Sequence, residues 1–502
     1  MIHFGTGGWR GIIAEDFNFE NVRVFSQVIA DEVNLNRGKD LGVVIGYDNR
    51  FMSEDFAKAS AEVFAGNGII VYIFDTSVPT PMVNFALKKL HGSCSLTFTA
   101  SHNPAVYNGI KYTLKGGMPA QIEVTERLES KMNSFDAKKV KKISYGEAVK
   151  NNMIKIFNCQ DEYISFIENQ IDMESIRKKR LKVLYDPMYG TGITSVGTLL
   201  VDLRCNLEII HNQRNPLFGG RVPAPNEETL WRIRYMVKEK GFDAAFATDG
   251  DADRLAIVDD ESHYLHPNMI LALLYNYLLE DKGLKGGVVR NLCTTHMVDR
   301  IAKAHGENVY ETPVGFKYIA DSLVKTDAII GGESSGGIAV RGHLLEKDGI
   351  LATGMVLEMM AKKGEKLSTL VRNLENKYGK LYFLEKNFTF NQLEKEAIKD
   401  AVKNLKSEDF GSEIVSSSNL DGIKFKFRND TWISIRFSGT EPVIRFMAEG
   451  ESDEVVSEIF NSAVKSIIPK LKHADIPYGH HKLFTFISGI YFYRAYSAYQ
   501  IS

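Results

Sequence analysis

Short apolar runs recur along this chain with helical stretches between them. Gly42-Val43-Val44-Ile45-Gly46, Gly68-Ile69-Ile70-Val71-Tyr72-Ile73-Phe74, Lys182-Val183-Leu184-Tyr185 and Gly287-Val288-Val289 are clear examples. Strands spaced in this way demand crossover connections, so the pattern predicts repeated βαβ units on mixed sheets, an α/β fold. With 502 residues and 44% hydrophobic content, the chain suffices for three or four cores. The basic stretch from Lys138 to Lys142 and the acidic turn Asp259-Asp260-Glu261 mark two boundaries, and a third falls near Lys377 to Lys380. Beyond it the pattern changes. The run Leu381 to Phe390, a helix rich in Lys and Glu, and the alternating strands Ile423-Lys424-Phe425-Lys426-Phe427 and Trp432-Ile433-Ser434-Ile435-Arg436 predict a smaller α+β domain. The expected spans are 1–140, 150–259, 260–378 and 381–471, with a tail over 473–502.

Chemistry is most concentrated in Asp249-Gly250-Asp251-Ala252-Asp253-Arg254, which follows the buried-strand pattern Phe242-Asp243-Ala244-Ala245-Phe246-Ala247. Three carboxylates at alternate positions repel one another unless a cation lies among them. Small residues between them let the loop curl so that the oxygens converge on a hard divalent ion such as Mg²⁺. A calcium-binding EF-hand loop would need glycine at the sixth position and glutamate at the twelfth. Arg254 and Asp260 stand there, so that reading fails.

The strand-like run Ser95-Leu96-Thr97-Phe98-Thr99 empties into Ala100-Ser101-His102-Asn103-Pro104. Asn103-Pro104 ends the strand, leaving Ser101 at its carboxyl end, where open α/β sheets place ligands. A hydrolase elbow would carry glycines where Thr99 and Asn103 stand, which disfavours acyl transfer. Lys111, two residues after Gly109, supplies a cation for a phosphate on Ser101 or for proton transfer. Two more loops suit an anionic sugar. Arg436-Phe437-Ser438-Gly439-Thr440-Glu441-Pro442 with Arg445 holds the guanidinium forks, hydroxyls and amides that grip a phosphate dianion. Gly331-Gly332-Glu333-Ser334-Ser335-Gly336-Gly337, after Ala328-Ile329-Ile330, offers a carboxylate and hydroxyls to sugar hydroxyls.

A net charge of −2 without a basic stripe argues against nucleic acid as a partner. Cys94, Cys159, Cys205 and Cys293 are widely and irregularly spaced, as expected of reduced thiols in a cytosol. The amino terminus lacks a charged region followed by an apolar core, so a cytoplasmic location is expected and the Asn387-Phe388-Thr389 acceptor match carries no weight. In the tail, the aromatic stretch Leu483 to Arg494 is too short to span a bilayer as a helix, so no stable membrane insertion is expected. It reads as a divergent extension, with an amphipathic interface segment as the sharper alternative; His480-His481 alone makes a poor metal site.

Six segments, four of them already described, stand in the order of one family. Phe4-Gly5-Thr6-Gly7-Gly8-Trp9-Arg10-Gly11, the Ser101 loop, the Asp249 loop, Thr312-Pro313-Val314-Gly315-Phe316-Lys317, the Glu333 loop and the Arg436 loop together resemble the α-D-phosphohexomutase superfamily, which contains phosphoglucomutase and phosphomannomutase. The resemblance runs over roughly residues 1 to 470. It implies four domains around a central cleft, three similar mixed-sheet α/β domains and a smaller C-terminal α+β domain, each giving one loop.

The implied reaction is exchange between hexose 1- and 6-phosphates through a phosphoserine at Ser101 and a hexose 1,6-bisphosphate. Mg²⁺ is implied on Asp249, Asp251, Asp253 and a Ser101 phosphate oxygen, with Arg254, Lys111 and Arg10 assisting electrostatically. Glu333 and Ser335 would meet the sugar, and Arg436, Ser438, Gly439, Thr440 and Arg445 the non-reacting phosphate. Some relatives carry histidine where this chain has Gly337, so Lys317 is read as its substitute, shared with Lys111; His102 is read as a donor to the serine phosphate and His343 as a more distant candidate. Gly7-Gly8 stands where relatives often carry Ser or Asp before glycine. The Glu333 loop and Trp9 lie nearer the glucose-directed form, which implies glucose phosphate with mannose phosphate second and glucosamine phosphate less favoured. A monomer or weak homodimer is expected, with glucose 1,6-bisphosphate as activator. A non-catalytic sugar-phosphate sensor, or a phosphatase that releases free phosphate, are the readings of other classes.

Overall fold

In a computed structural model, residues 2–5, 7–36, 38, 40–438 and 442–467 are described. Among the described residues there are four sheets. The first has seven strands, in the spatial order Phe4–Gly5, Gly8–Ile12, Tyr107–Leu114, Cys94–Phe98, Val43–Tyr47, Val71–Phe74 and Ile154–Phe157. The second runs Tyr264–Leu265, Leu255–Asp259, Ala244–Thr248, Lys182–Asp186, Asn206–Ile209, and the third Val309–Thr312, Val288–Asn291, Ile330–Gly332, Ile338–Val340. In the fourth, Tyr382–Thr389, Val443–Gly450, Trp432–Phe437, Ile423–Lys426 and Ser416–Ser418 pair antiparallel throughout.

One device recurs in the first three sheets. A strand lies parallel to a buried neighbour on one side and turns back into an antiparallel partner on the other. Cys94–Phe98 pairs parallel with Val43–Tyr47 and antiparallel with Tyr107–Leu114. Ala244–Thr248 does the same between Lys182–Asp186 and Leu255–Asp259, as does Ile330–Gly332 between Val288–Asn291 and Ile338–Val340. The three reversals hold Ser101, the Asp249 loop and the Glu333 loop. Backbone left unpaired where a strand turns back is free to meet a ligand, which is why the chemistry gathers there.

The second and third sheets share one apolar core, which contains Val183, Phe246, Val288 and Ile330. The helix Gly349–Lys363 lies in it, buried from Gly349 through Ala361, and its apolar circumference explains that position. Asp348 starts this helix by accepting from the Ile350 and Leu351 amides. The fourth sheet has its own core and meets the third through a small cluster of Leu292, Cys293, Trp432 and Met447. No helix among the described residues is long and apolar enough to cross a membrane.

One strand lies outside its expected domain. Ile154–Phe157 falls in the span 150–259 yet forms the far edge of the first sheet, parallel to Val71–Phe74. It is four residues long with Lys155 and Ile156 exposed, so an edge pairing fixes its place and its own sequence pattern is faint.

Candidate active site

Ser101 is fully buried and adopts φ 52°, a left-handed conformation that costs a non-glycine residue of order 1–3 kcal/mol. Its surroundings hold it there. Its amide donates to Thr99 Oγ1 (2.8 Å), and its carbonyl accepts from Arg50 Nη2 (2.6 Å). Arg50 also donates to the carbonyls of Asn103 (2.7 Å), Pro104 (2.8 Å) and Tyr107 (3.1 Å). Behind it, Asp48 lies 3.2 Å from Arg50 Nε and accepts from Ser53 and Thr99. One buried guanidinium therefore stitches the whole serine loop. So held, Ser101 Oγ donates to Asp249 Oδ2 at 2.7 Å, across the boundary between the first two domains.

Asp249, Asp251 and Asp253 are fully buried, and one oxygen from each lies within 4.8 Å of the others. Gly250 is required by close approach: a Cβ there would stand 2.6 Å from the Ser101 carbonyl oxygen. Ala252, at φ 54°, supplies the curl. The loop is clamped by Thr80, whose amide and hydroxyl both reach Asp251, and by the Gly349 amide on the Ala252 carbonyl. Burial and then the charges of Asp251 and Asp253 push the Asp249 carboxyl up to about 8. Burial pulls Asp251 and Asp253 the same way as the largest single influence, but both end below the ordinary carboxylate range through the combined effect of Lys111 with Thr80 at Asp251 and of Lys111, Lys347 and Arg254 at Asp253. Lys111 Nζ lies 2.5 Å from Asp251 Oδ2 and also bonds Asp253, and Lys347 Nζ is 2.8 Å from Asp253 Oδ2. Against the pull of burial, those aspartates keep Lys111 charged. Asp251 Oδ1 and Asp253 Oδ1 are buried without a hydrogen-bond partner among the described residues. An all-oxygen donor set with two orphaned carboxylate oxygens fits a hard divalent cation.

From this centre a cleft of about 230 Å³ extends between the four domains, lined by Arg10, His102, Lys111, Arg254, Lys317, Glu333, Ser334, Ser335, Arg436, Ser438 and Arg445 among others. Arg254 lies 4.0 Å from Asp249 and 3.8 Å from Asp253, and its backbone bridges to Gly337, tying the Asp loop to the Glu333 loop. Arg10 bonds the Asn103 side chain, and burial and Arg254 bring its guanidinium down to about 10. His102 Nδ1 is 3.4 Å from Ser101 Oγ; burial and then Arg254 and Arg10 hold the imidazole neutral, far below its ordinary range. Glu333 Oε1 accepts from Asn291 Nδ2 (3.2 Å) and the Gly315 amide (3.1 Å). On the far wall Arg436 and Arg445 are direct cross-strand partners. Like charges set opposite each other destabilise a sheet unless anions lie between or beside them. Arg436 Nε is buried and makes no hydrogen bond among the described residues. Gly439 and Thr440 lie outside the described residues, as does the tail.

The structure gives three residues singled out in the sequence their surroundings. Trp9 follows the cleft-lining Gly7-Gly8, yet its ring is buried in the first core, 4.6 Å from Phe17 and 5.7 Å from Phe25, and is not among the residues lining the cleft. His343 is enclosed, bonded to Asp348 (2.7 Å) and Gln170, and serves the start of the helix Gly349–Lys363. Lys317 lines the cleft, and burial lowers its ammonium against the opposing charges of Glu123 and Glu126. The cation that fills the space beside Gly337 is Lys347: a Cβ on Gly337 would lie 2.2 Å from its Cδ. Sequence reasoning passed over both Lys347 and Arg50. The carboxylate-flanked Glu346-Lys347-Asp348 and Asp48-Asn49-Arg50 segments were the available signals, each at a loop after a strand.

A buried serine facing a carboxylate trio, with paired arginines across a cleft, defines a phosphoryl-handling enzyme of the α/β class. The phosphoglucomutase/phosphomannomutase family models match in four parts: alpha/beta/alpha domain I at residues 1–139, domain II at 161–262, domain III at 266–378 and the C-terminal domain at 385–466. The chain is 32% identical over 470 residues to the phosphoglucomutase/phosphomannomutase of Thermococcus kodakarensis, covering 93% of this chain and 99% of that one. It is 29% identical over 466 residues to the phosphoglucosamine/phosphogalactosamine mutase of Sulfurisphaera tokodaii, covering 92% and 98%. The crystal structure of a phosphoglucomutase/phosphomannomutase family protein from Burkholderia thailandensis superposes with a TM-score of 0.79 at 22% identity, over 94% of this chain and 99% of that one, a likeness of fold. This chain belongs to the phosphoglucomutase/phosphomannomutase family and is an isomerase with that family's four-domain fold.

Proposed function

We propose that this enzyme interconverts glucose 1-phosphate and glucose 6-phosphate through a phosphoserine at Ser101 and a glucose 1,6-bisphosphate intermediate. The observation that carries the reading is the 2.7 Å contact of Ser101 Oγ with Asp249, at the end of a cleft whose far wall bears Arg436 and Arg445. Asp249, Asp251, Asp253 and a Ser101 phosphate oxygen would hold Mg²⁺, which supplies charge neutralisation for the transferring phosphoryl group.

The reaction follows from what the residues can do. A sugar hydroxyl attacks the Ser101 phosphoryl group, the bond to Ser101 Oγ breaks, and the bisphosphate forms; Lys317, whose ammonium burial lowers, is the cleft amine that in its neutral form takes up the hydroxyl proton, while Lys111 and Lys347, held as cations beside Asp251 and Asp253, can only donate one. The bisphosphate then turns end for end and returns its other phosphoryl group to Ser101, so phosphate is neither gained nor lost. Arg10 and Arg254 offset charge at the reacting end. Arg436, Ser438, Gly439, Thr440 and Arg445 grip whichever phosphate is not reacting, and Glu333 and Ser335 orient the ring between. A cleft closed over the bound sugar would keep water from the phosphoserine.

Glucose rests on the form of the Glu333-Ser334-Ser335 loop, with mannose phosphate the second substrate. Glucosamine phosphate is the alternative, favoured by the name of the Sulfurisphaera relative. The reading further comprises a cytoplasmic monomer or weak homodimer, with domains divided as the sequence suggests except that the first runs on through Phe157. The test is coupled turnover of glucose, mannose and glucosamine 1-phosphates with Mg²⁺ and a trace of the matching bisphosphate. Fastest turnover of glucose 1-phosphate, lost in Ser101→Ala, is expected; preference for the amino sugar would replace glucose, and release of free phosphate would make the enzyme a phosphatase.

A further inference from the structure

Asp421 is outside every segment assigned so far, yet one of its oxygens joins two of them. Its Oδ2 lies 3.2 Å from Arg436 Nη2 and accepts from the Val314 amide, also at 3.2 Å. The next amide along, that of Gly315, donates to Glu333. A continuous path thus runs from Glu333 in the third domain, through two consecutive amides, to Asp421 and Arg436 in the fourth. The turn is built for this approach. Gly422 has φ 73°, and a Cβ there would stand 2.4 Å from the Ile435 carbonyl oxygen and 2.7 Å from Arg436 Cβ. Only glycine lets the turn press against the Arg436 strand and bring the preceding carboxylate to that guanidinium.

We propose that Asp421 is a positioning residue that holds Arg436 against the Val314–Gly315 segment and yields it to the substrate's non-reacting phosphate. The proposal rests on Arg436 gripping that phosphate. A phosphate dianion is a stronger guanidinium partner than one shared carboxylate oxygen. Its arrival beside Asp421 sets like charges together, so the carboxylate lowers phosphate affinity. What Asp421 contributes in exchange is alignment: with Arg436 tied to the segment that also fixes Glu333, the sugar loop and the phosphate grip move as one. A residue of this kind holds ground-state binding below its maximum while favouring the arrangement that reacts.

The test uses the full-length enzyme and inorganic phosphate as the probe, with calorimetric affinity measured beside kcat and KM on glucose 1-phosphate. Asp421→Asn keeps an oxygen for the Val314 amide and removes the charge. It should bind phosphate about 2–5-fold more tightly, the range of an incompletely buried ion pair, and lower KM and kcat together. The gain in phosphate affinity should vanish in an Arg436→Ala background. Asp421→Ala should share the gain and lose more kcat, because the amide bridge is gone as well; if Ala fails to fold, Asn alone decides. Unchanged or weaker phosphate binding in Asp421→Asn, or a gain that persists without Arg436, would overturn the proposal. Phosphate binding needs no turnover, so an enzyme inactive on every hexose phosphate would sink the functional reading and still leave this arm to judge Asp421.

Discussion

Replacing Arg50 with Met should free the serine loop while leaving the apolar volume of the side chain nearly intact. The guanidinium donates to four carbonyls between 2.6 and 3.1 Å, and the stem is fully buried. Methionine supplies none of those donors and leaves Asp48, also fully buried, with only neutral donors. Removing one partner of a buried ion pair costs about 3–5 kcal/mol, because the remaining charge is uncompensated. That loss should appear in the first domain, as faster amide exchange over residues 99–107, with the fourth domain unaffected. It should also reach the chemistry, since a displacement of about 1 Å at the reacting serine costs about 100-fold in rate. Arg50→Lys should recover only part, because an ammonium has three donors and no planar fork. Exchange over 99–107 within about 1 kcal/mol of wild type and undiminished labelling of Ser101 would refute the role given to Arg50.

Three further outcomes are expected. Asp251→Asn should weaken Mg²⁺ binding by at least about 100-fold and abolish turnover, as read by calorimetry; an undiminished affinity would place the metal elsewhere. Gly337→Ala should push Lys347 off Asp253, since the new Cβ overlaps Lys347 Cδ; overpacking of this kind costs about 1–3 kcal/mol, so a lowered melting temperature and a lowered kcat should appear together. Burial and the neighbouring Arg290 hold the Lys424 ammonium down to about 8, below its ordinary 10.5. The folded state therefore gives up this proton first, and stability should rise by up to about 3 kcal/mol as pH climbs from 8 towards 10.5, at 1.36 kcal/mol per pH unit. Melting curves of Lys424→Met should lack that slope.

The parts of the site legible in the sequence are those whose chemistry is contiguous. Three aspartates around Gly250 and Ala252, or a serine between a strand and Asn103-Pro104, announce themselves because repulsion and backbone restriction act over a few residues. The strands were legible for the same reason, since Val43–Tyr47 and Ala244–Thr248 are buried along their whole length. Arg50 and Lys347 were not, because each works on a segment distant in sequence and is meaningful only once the sheets bring Asp48 to Thr99, or Gly337 to Asp253. Trp9 stands beside a loop that lines the cleft, but strand alternation turns its ring into the core while Arg10 turns to the cleft, a separation of neighbours that only the strand's placement shows. Ile154–Phe157 shows the same limit at the level of the fold, where an edge strand takes its place from its neighbour.

The most direct test of the account follows a labelled phosphoryl group. Incubating the enzyme and Mg²⁺ with radiolabelled glucose 1,6-bisphosphate should place the label on Ser101, found by peptide mapping and absent in Ser101→Ala. A chase with unlabelled glucose 1-phosphate should then move the label into hexose phosphate, with none appearing as free phosphate. Label on another residue, or label that leaves only to water, would contradict a phosphoserine that hands its phosphoryl group between the two ends of one sugar.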